Sequence, residues 1–253
     1  MQSRFLTYAY SLGVALLLAT LALWFGTETA LAGQVFNVSC STSEFKAALA
    51  QANSDADEDT LALAENCVYL VFATVNSNNN GLGVVTEDLV IEGSGAVFRR
   101  AVKTGKTRFL EVENQARLSL HNLNMEGGFL TGQPGGAIRA AEGTEMHVFD
   151  SRFFGNQAGL GGALYSLGRV RIEESNFRNN RAQDGGSLYM GGSQGAVEIV
   201  QSVFEFNSAN LGGALYLASA AGDANLFSSS FVANQAIEGG AIYADRSVTL
   251  EMT

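Results

Sequence analysis

The chain has one proline, two cysteines, two histidines, and 15 lysines and arginines against 25 aspartates and glutamates. Each shortage excludes something. A net charge of −10 makes nucleic acid a poor partner, because phosphate binding draws on a basic face. Two cysteines, Cys40 and Cys67, have no further ligands at metal-binding spacing beside them. After the first thirty residues no stretch is long or apolar enough to cross a bilayer as a helix. Scarce proline beside 29 glycines and many Asn and Ser fits many short strands joined by tight turns.

The amino-terminal run differs from everything after it. Arg4 is the only charge before the apolar run from Leu12 to Phe25, and Ala30-Leu31-Ala32 follows as a small-x-small cleavage pattern. Residues 1–32 are therefore expected to be a secretory signal, leaving a chain that begins at Gly33 with no transmembrane segment. In an exported protein the cysteine pair reads as a disulfide. It would close a loop of about 28 residues and contribute on the order of 3 kcal/mol. A local basic cluster, Arg99, Arg100, Lys103, Lys106 and Arg108, is read as a solvated loop or edge that discourages strand aggregation.

Internal repetition carries most of the information. Gly135-Gly136-Ala137-Ile138 recurs with first glycines at 161, 185, 212 and 239, and Ser151-x-Phe153-x-x-Asn156 recurs with serines at 175, 202 and 229. The two motifs keep step, at spacings of 24 to 27 residues. Within each unit, segments such as Arg169-Val170-Arg171-Ile172-Glu173 alternate apolar with polar residues, the mark of a strand with one buried face. No helix-period segment lies between the strands, and the unit is too short for a strand-helix-strand crossover. The chain is thus expected to coil as an all-β, right-handed parallel β-helix, the handedness following from that of parallel crossovers.

Coiling stacks like on like. Phe153, Phe177, Phe204 and Phe231 should form an inner aromatic column, and Asn156, Asn180, Asn207 and Asn234 a ladder at a bend, where Asn tolerates left-handed backbone. The glycine pairs allow positive φ or close backbone approach at another corner. Tyr165, Tyr189, Tyr216 and Tyr243 also recur in register, as structural side chains or, if exposed, as a ligand-contact strip. Upstream, Ser41-Thr42-Ser43-Glu44 has the form of a capping box, and Phe45, Ala48, Leu49 and Ala52 share one helical face. Residues 33–80 are expected to cap a β-helix over 81–253, with Val84 to Val90 and Ala116 to Met125 as early, less regular rungs. The sequence stops within a strand-like stretch, Ser247 to Thr253. A product truncated from a longer gene is the preferred expectation, an end-to-end partner covering that coil the alternative.

These residues resemble a bacterial family of exported right-handed β-helix proteins with polymorphic outer-membrane protein repeats, whose hallmark elements are F-x-x-N and G-G-A-[ILV]. The similarity extends to Cys40, Ala47-Ala48-Leu49-Ala50-Gln51-Ala52-Asn53, Asp59-Thr60-Leu61-Ala62-Leu63, Cys67-Val68-Tyr69 and Val90 to Ala96. The resemblance implies a cell-surface or extracellular location, adhesion for some members, and no common catalytic set. Nothing in the chain resembles a translocator barrel, which leaves the mode of surface attachment open.

Parallel β-helices also include pectate lyases and polygalacturonases, so catalysis needs weighing on residues. Glu173, Glu174, Asp184, Glu198, Glu205, Glu238 and Asp245 are spread among the rungs without the paired arrangement a glycosidase needs. His121 and His147 stand in strands without triad spacing. Asp55, Asp57 and Asp59 alternate as a calcium loop would begin, but Thr60 and Asn66 occupy positions that such a loop gives to Gly and Glu. The expectation is a non-catalytic surface protein without cofactor or metal that contacts glycans or cell-surface material. A polysaccharide lyase or glycoside hydrolase is the alternative.

Overall fold

A computed structural model describes residues 33–72, 79–101, 105–219, 221–245 and 250–252. The leader expected over residues 1–32, and Lys103, lie outside these residues. The described residues from Gly33 onward form a parallel β-solenoid of three sheets, one of nine strands and two of seven. From Asp59 onward each full coil lays one strand in each sheet: Glu145–Phe149 in the nine-stranded sheet, Arg152–Phe154 in the second, Leu164–Ser166 in the third, and then Arg169–Glu173 back in the first. Every strand pairing is parallel and joins equivalent residues of successive coils, for example Val170 to Met146 and Val197.

Alternation in sequence becomes alternation in burial. In Arg169–Glu173 the valine and isoleucine are buried while the charged residues face outward. In the second sheet Phe153, Phe177 and Phe204 are fully buried and stack with ring centroids 4.6 and 4.7 Å apart. Phe231 continues the stack at 4.9 Å. Pairing register carries the column the other way through Met125 and Phe98 to Tyr69. Burial of each ring stabilises by about 2 kcal/mol.

The corners are where the motifs act. Between the first and second sheets, the main-chain N–H groups of Ser151, Ser175 and Ser202 donate to the hydroxyls of Ser175, Ser202 and Ser229 one coil on. Each hydroxyl also donates to the carbonyl two residues back in its own coil. Between the second and third sheets runs the asparagine ladder. Asn180 donates from Nδ2 to the Phe153 carbonyl (3.0 Å) and Asn207 Oδ1 (3.1 Å), while its Oδ1 accepts from the main chain and side chain of Asn156. The ladder asparagines are not left-handed themselves, contrary to expectation. The preceding residues are: Gly155, Asn179, Phe206 and Ala233, at φ 52° to 63°. That turn aims the asparagine amide inward. At the third corner Gly161 takes φ 57°, and a Cβ on Gly162 would collide with the Gly186 carbonyl, so the two glycines of the pair are needed for different reasons.

The helix forms as expected, over Thr42–Ala52, with Ser41 accepting from the Glu44 N–H and with Phe45, Ala48, Leu49 and Ala52 buried. The reciprocal half of the capping box does not form, since Glu44 accepts from the Ser39 hydroxyl and the Ser41 N–H donates to the Ser39 carbonyl. Cys40 and Cys67 are bridged, with Cα atoms 5.6 Å apart. The segment expected as a separate cap also contributes strands Val35–Val38, Asp59–Leu63 and Val68–Val71, so regular pairing starts well before residue 81. The basic cluster does not form one solvated patch. Arg108 is buried, donating to the Pro134 and Gly135 carbonyls and to Asn80 and Glu111. Arg99 pairs with Glu126 at 2.8 Å.

Candidate functional site

Two outward faces collect chemistry. The first is the third sheet, where pairing places Glu111, Arg139, Tyr165, Tyr189, Tyr216 and Tyr243 in one row. The tyrosines are half-buried and nearly parallel, with centroids 5.1, 4.8 and 5.3 Å apart. Ring faces therefore cover one another, and the row presents ring edges and hydroxyls rather than open aromatic platforms. Burial raises the phenol pKa values of Tyr165 and Tyr189. Burial and then Asp245 push Tyr216 up to about 12, and its hydroxyl donates to Asp245 Oδ2 at 3.4 Å. These phenols stay protonated and able to donate at neutral pH. At one end of the row Arg139 pairs with Glu111, which also accepts from Asn80 and Arg108.

The second face is a groove of ≈ 450 Å³ on the nine-stranded sheet, lined by Glu145, His147, Arg169, Arg171, Glu198 and Asp223 among others. Its charged groups are largely paired. Arg171 bridges Glu173 and Glu198, the latter at 2.7 Å. Glu145 meets Arg117 at 3.4 Å and His147 at 3.1 Å. Partial burial would raise the Glu145 pKa, but its bonds to His147 and Arg117 outweigh burial and hold the carboxyl below its ordinary value. Such a carboxylate accepts hydrogen bonds well and is a poor general acid.

Other carboxylates considered for catalysis are dispersed. Asp184 and Glu238 lie on the corner column that bridges Leu160, Asp184, Leu211 and Glu238. Glu205 pairs with Arg178 on the second sheet, Glu174 occupies a left-handed corner at φ 48°, and Asp245 belongs to the tyrosine face. His121 lies 2.8 Å from Glu92, outside the groove lining. Asp59 is buried at the start of its strand, while the Asp57 N–H donates to Asp55, so the three aspartates do not share one loop. Among the described residues no three His, Cys, Asp or Glu side chains gather as a metal site, and no helix is long and apolar enough to cross a membrane.

Sequence reasoning did not assemble the groove or assign Arg139 and Glu111 to the tyrosine row. No repeated residue type marks the groove, because its members come from different residue types at equivalent positions of successive coils. Arg139 stands between Ile138 and Ala140, an alternation from which an outward side chain could have been read.

Comparison with known proteins bears on the repeat. Residues 150–167 match the model of the Chlamydia polymorphic membrane protein repeat, one copy of the serine, phenylalanine and asparagine corner. The chain is 32% identical over 148 residues to the probable autotransporter YfaL of Escherichia coli K12, a match covering 51% of this chain and 12% of that protein. No solved structure matches. The chain is similar to a small part of a much longer relative, and with its coils and ladders in place it fits a parallel β-helix built on polymorphic outer-membrane protein repeats.

Proposed function

We propose that this chain is an exported, cell-surface β-helix that binds glycans or other surface material through its tyrosine face without chemically altering them. The observation that carries this reading is the in-register row of four half-buried phenols. It offers one hydroxyl per coil along a rigid strip bounded by Arg139 and Asp245. A repeating ligand with hydroxyls on each unit can meet such a row several times at once, so weak single contacts accumulate. The similarities to a polymorphic membrane protein repeat and to an autotransporter support display at the cell surface.

A polysaccharide-active enzyme is the second reading, favoured by the carboxylates, histidine and arginines gathered in the groove. Its weakness is that Arg171 bridges Glu173 and Glu198, while the lowered Glu145 pKa disfavours proton donation. Incubating the exported chain with plant, algal and bacterial polysaccharides, with and without calcium, separates the readings. Retention without new reducing ends or unsaturated uronates is expected, and release of either product would replace binding with catalysis.

A further inference from the structure

The Asp59 carboxylate is fully buried, and among the described residues its Oδ2 has no hydrogen-bond partner. An unpaired carboxylate oxygen inside a fold is costly, because nothing replaces the water it gave up. Its other oxygen, Oδ1, accepts from the Gln34 main-chain N–H at 2.6 Å. One residue earlier stands Gly33, packed so closely on the Glu58 carbonyl that a Cβ there would collide with it. A compact unit of the chain begins at this same glycine, directly after the Ala30-Leu31-Ala32 pattern. A backbone nitrogen one residue before Gln34 is within a peptide unit of the nitrogen already bound to Asp59.

We infer that Gly33 is the mature amino terminus and that its α-ammonium group is the missing partner of Asp59 Oδ2. Hydrolysis of the Ala32–Gly33 amide by a peptidase with small-x-small specificity adds water across the bond, leaving a carboxylate on Ala32 and a protonated amine on Gly33. The amide N–H of the uncleaved chain has one fixed direction, whereas the ammonium has three donors and rotates freely. Asp59 then holds the first two nitrogens of the mature chain, one on each oxygen, and fastens strand Val35–Val38 to Asp59–Leu63 at the edge where the nine-stranded sheet begins. The inference rests on the export reading and is independent of any ligand on the tyrosine face.

The test expresses the full 253-residue chain in an exporting bacterial host, sequences the amino terminus of the product, and measures its thermal unfolding. Gly33 is expected as the first residue; a product that is uncleaved or cleaved elsewhere overturns the assignment. Asp59→Asn is expected to lower Tm by about 3–8 °C, because it leaves the ammonium without its counter-charge. An unpaired carboxylate would instead gain from that substitution, so an unchanged or raised Tm also overturns it. A second variant with one serine inserted after Ala32 moves the ammonium away and leaves Asp59 intact. It should lose a similar number of degrees and, unlike the parent, show no fall in Tm as pH rises through the α-amine range above about 8. An inserted variant with the parent's Tm and pH profile contradicts the pairing even if Asp59→Asn fails to fold.

Discussion

At the residue scale the ladders carry the largest local consequences. Asn180 is fully buried and joins three coils through its amide. Asn180→Ala leaves the Asn156 N–H without its acceptor inside the fold and removes a second bond to the Phe153 carbonyl, and is expected to cost about 3 kcal/mol in denaturant unfolding. Two titrations bear on the outward faces. The Tyr216 phenol, at about 12 in the folded chain against about 10 when unfolded, favours the folded state below pH about 10, and this contribution disappears as pH rises through its folded value. A phenolate absorbance titration should show Tyr216 ionising later than an ordinary tyrosine, and Asp245→Asn should bring it earlier. Glu145 has the opposite sign: its lowered pKa contributes stability above the ordinary value of about 4.3, and the contribution disappears as pH falls through the folded value. Glu145→Gln should therefore lower Tm near neutrality and match the parent in strong acid.

At the element scale the first coil and the inner column are the parts that single changes expose. Reducing the Cys40–Cys67 bridge is expected to cost about 3 kcal/mol, read as a lower unfolding midpoint with reductant and no shift in a Cys40→Ala/Cys67→Ala chain. Phe177→Ala opens a cavity between two stacked rings and is expected to cost about 3–5 kcal/mol. The coil and the phenylalanine column were legible in the sequence because stacking repeats the same residue at the same position, and the helix because Phe45, Ala48, Leu49 and Ala52 fall on one helical face. The asparagine ladder was legible as a ladder, but its backbone conformation was not: the left-handed residue is Gly, Asn, Phe or Ala in different coils, with no shared type to read. The burial of Arg108 was hidden for another reason. Its partners Asn80, Pro134 and Gly135 come from neighbouring coils, and composition alone gave five nearby cations the look of a solvated patch.

At the scale of the whole solenoid each coil touches its neighbours through three parallel pairings, so stability is expected to behave as a sum of coil and interface contributions. Deleting residues 175–201, one unit of the 27-residue spacing, brings Ser202 onto Ser151 and preserves every ladder. Such a chain is expected to keep its β circular dichroism and cooperative unfolding, whereas deleting half a unit sets strands against corners and should abolish both. The proposed binding face depends on the same repetition, since a row of equivalent phenols exists only because coils stack in register. The most direct measurement is retention of purified residues 33–253 on the polysaccharide panel, compared with a Tyr165→Ser/Tyr189→Ser/Tyr216→Ser variant and with Glu198→Gln in the groove. Retention that the tyrosine variant loses and Glu198→Gln keeps, with no product released by either, is the expected result. Loss with Glu198→Gln alone, or product formation that it abolishes, would contradict the account and move function to the charged groove.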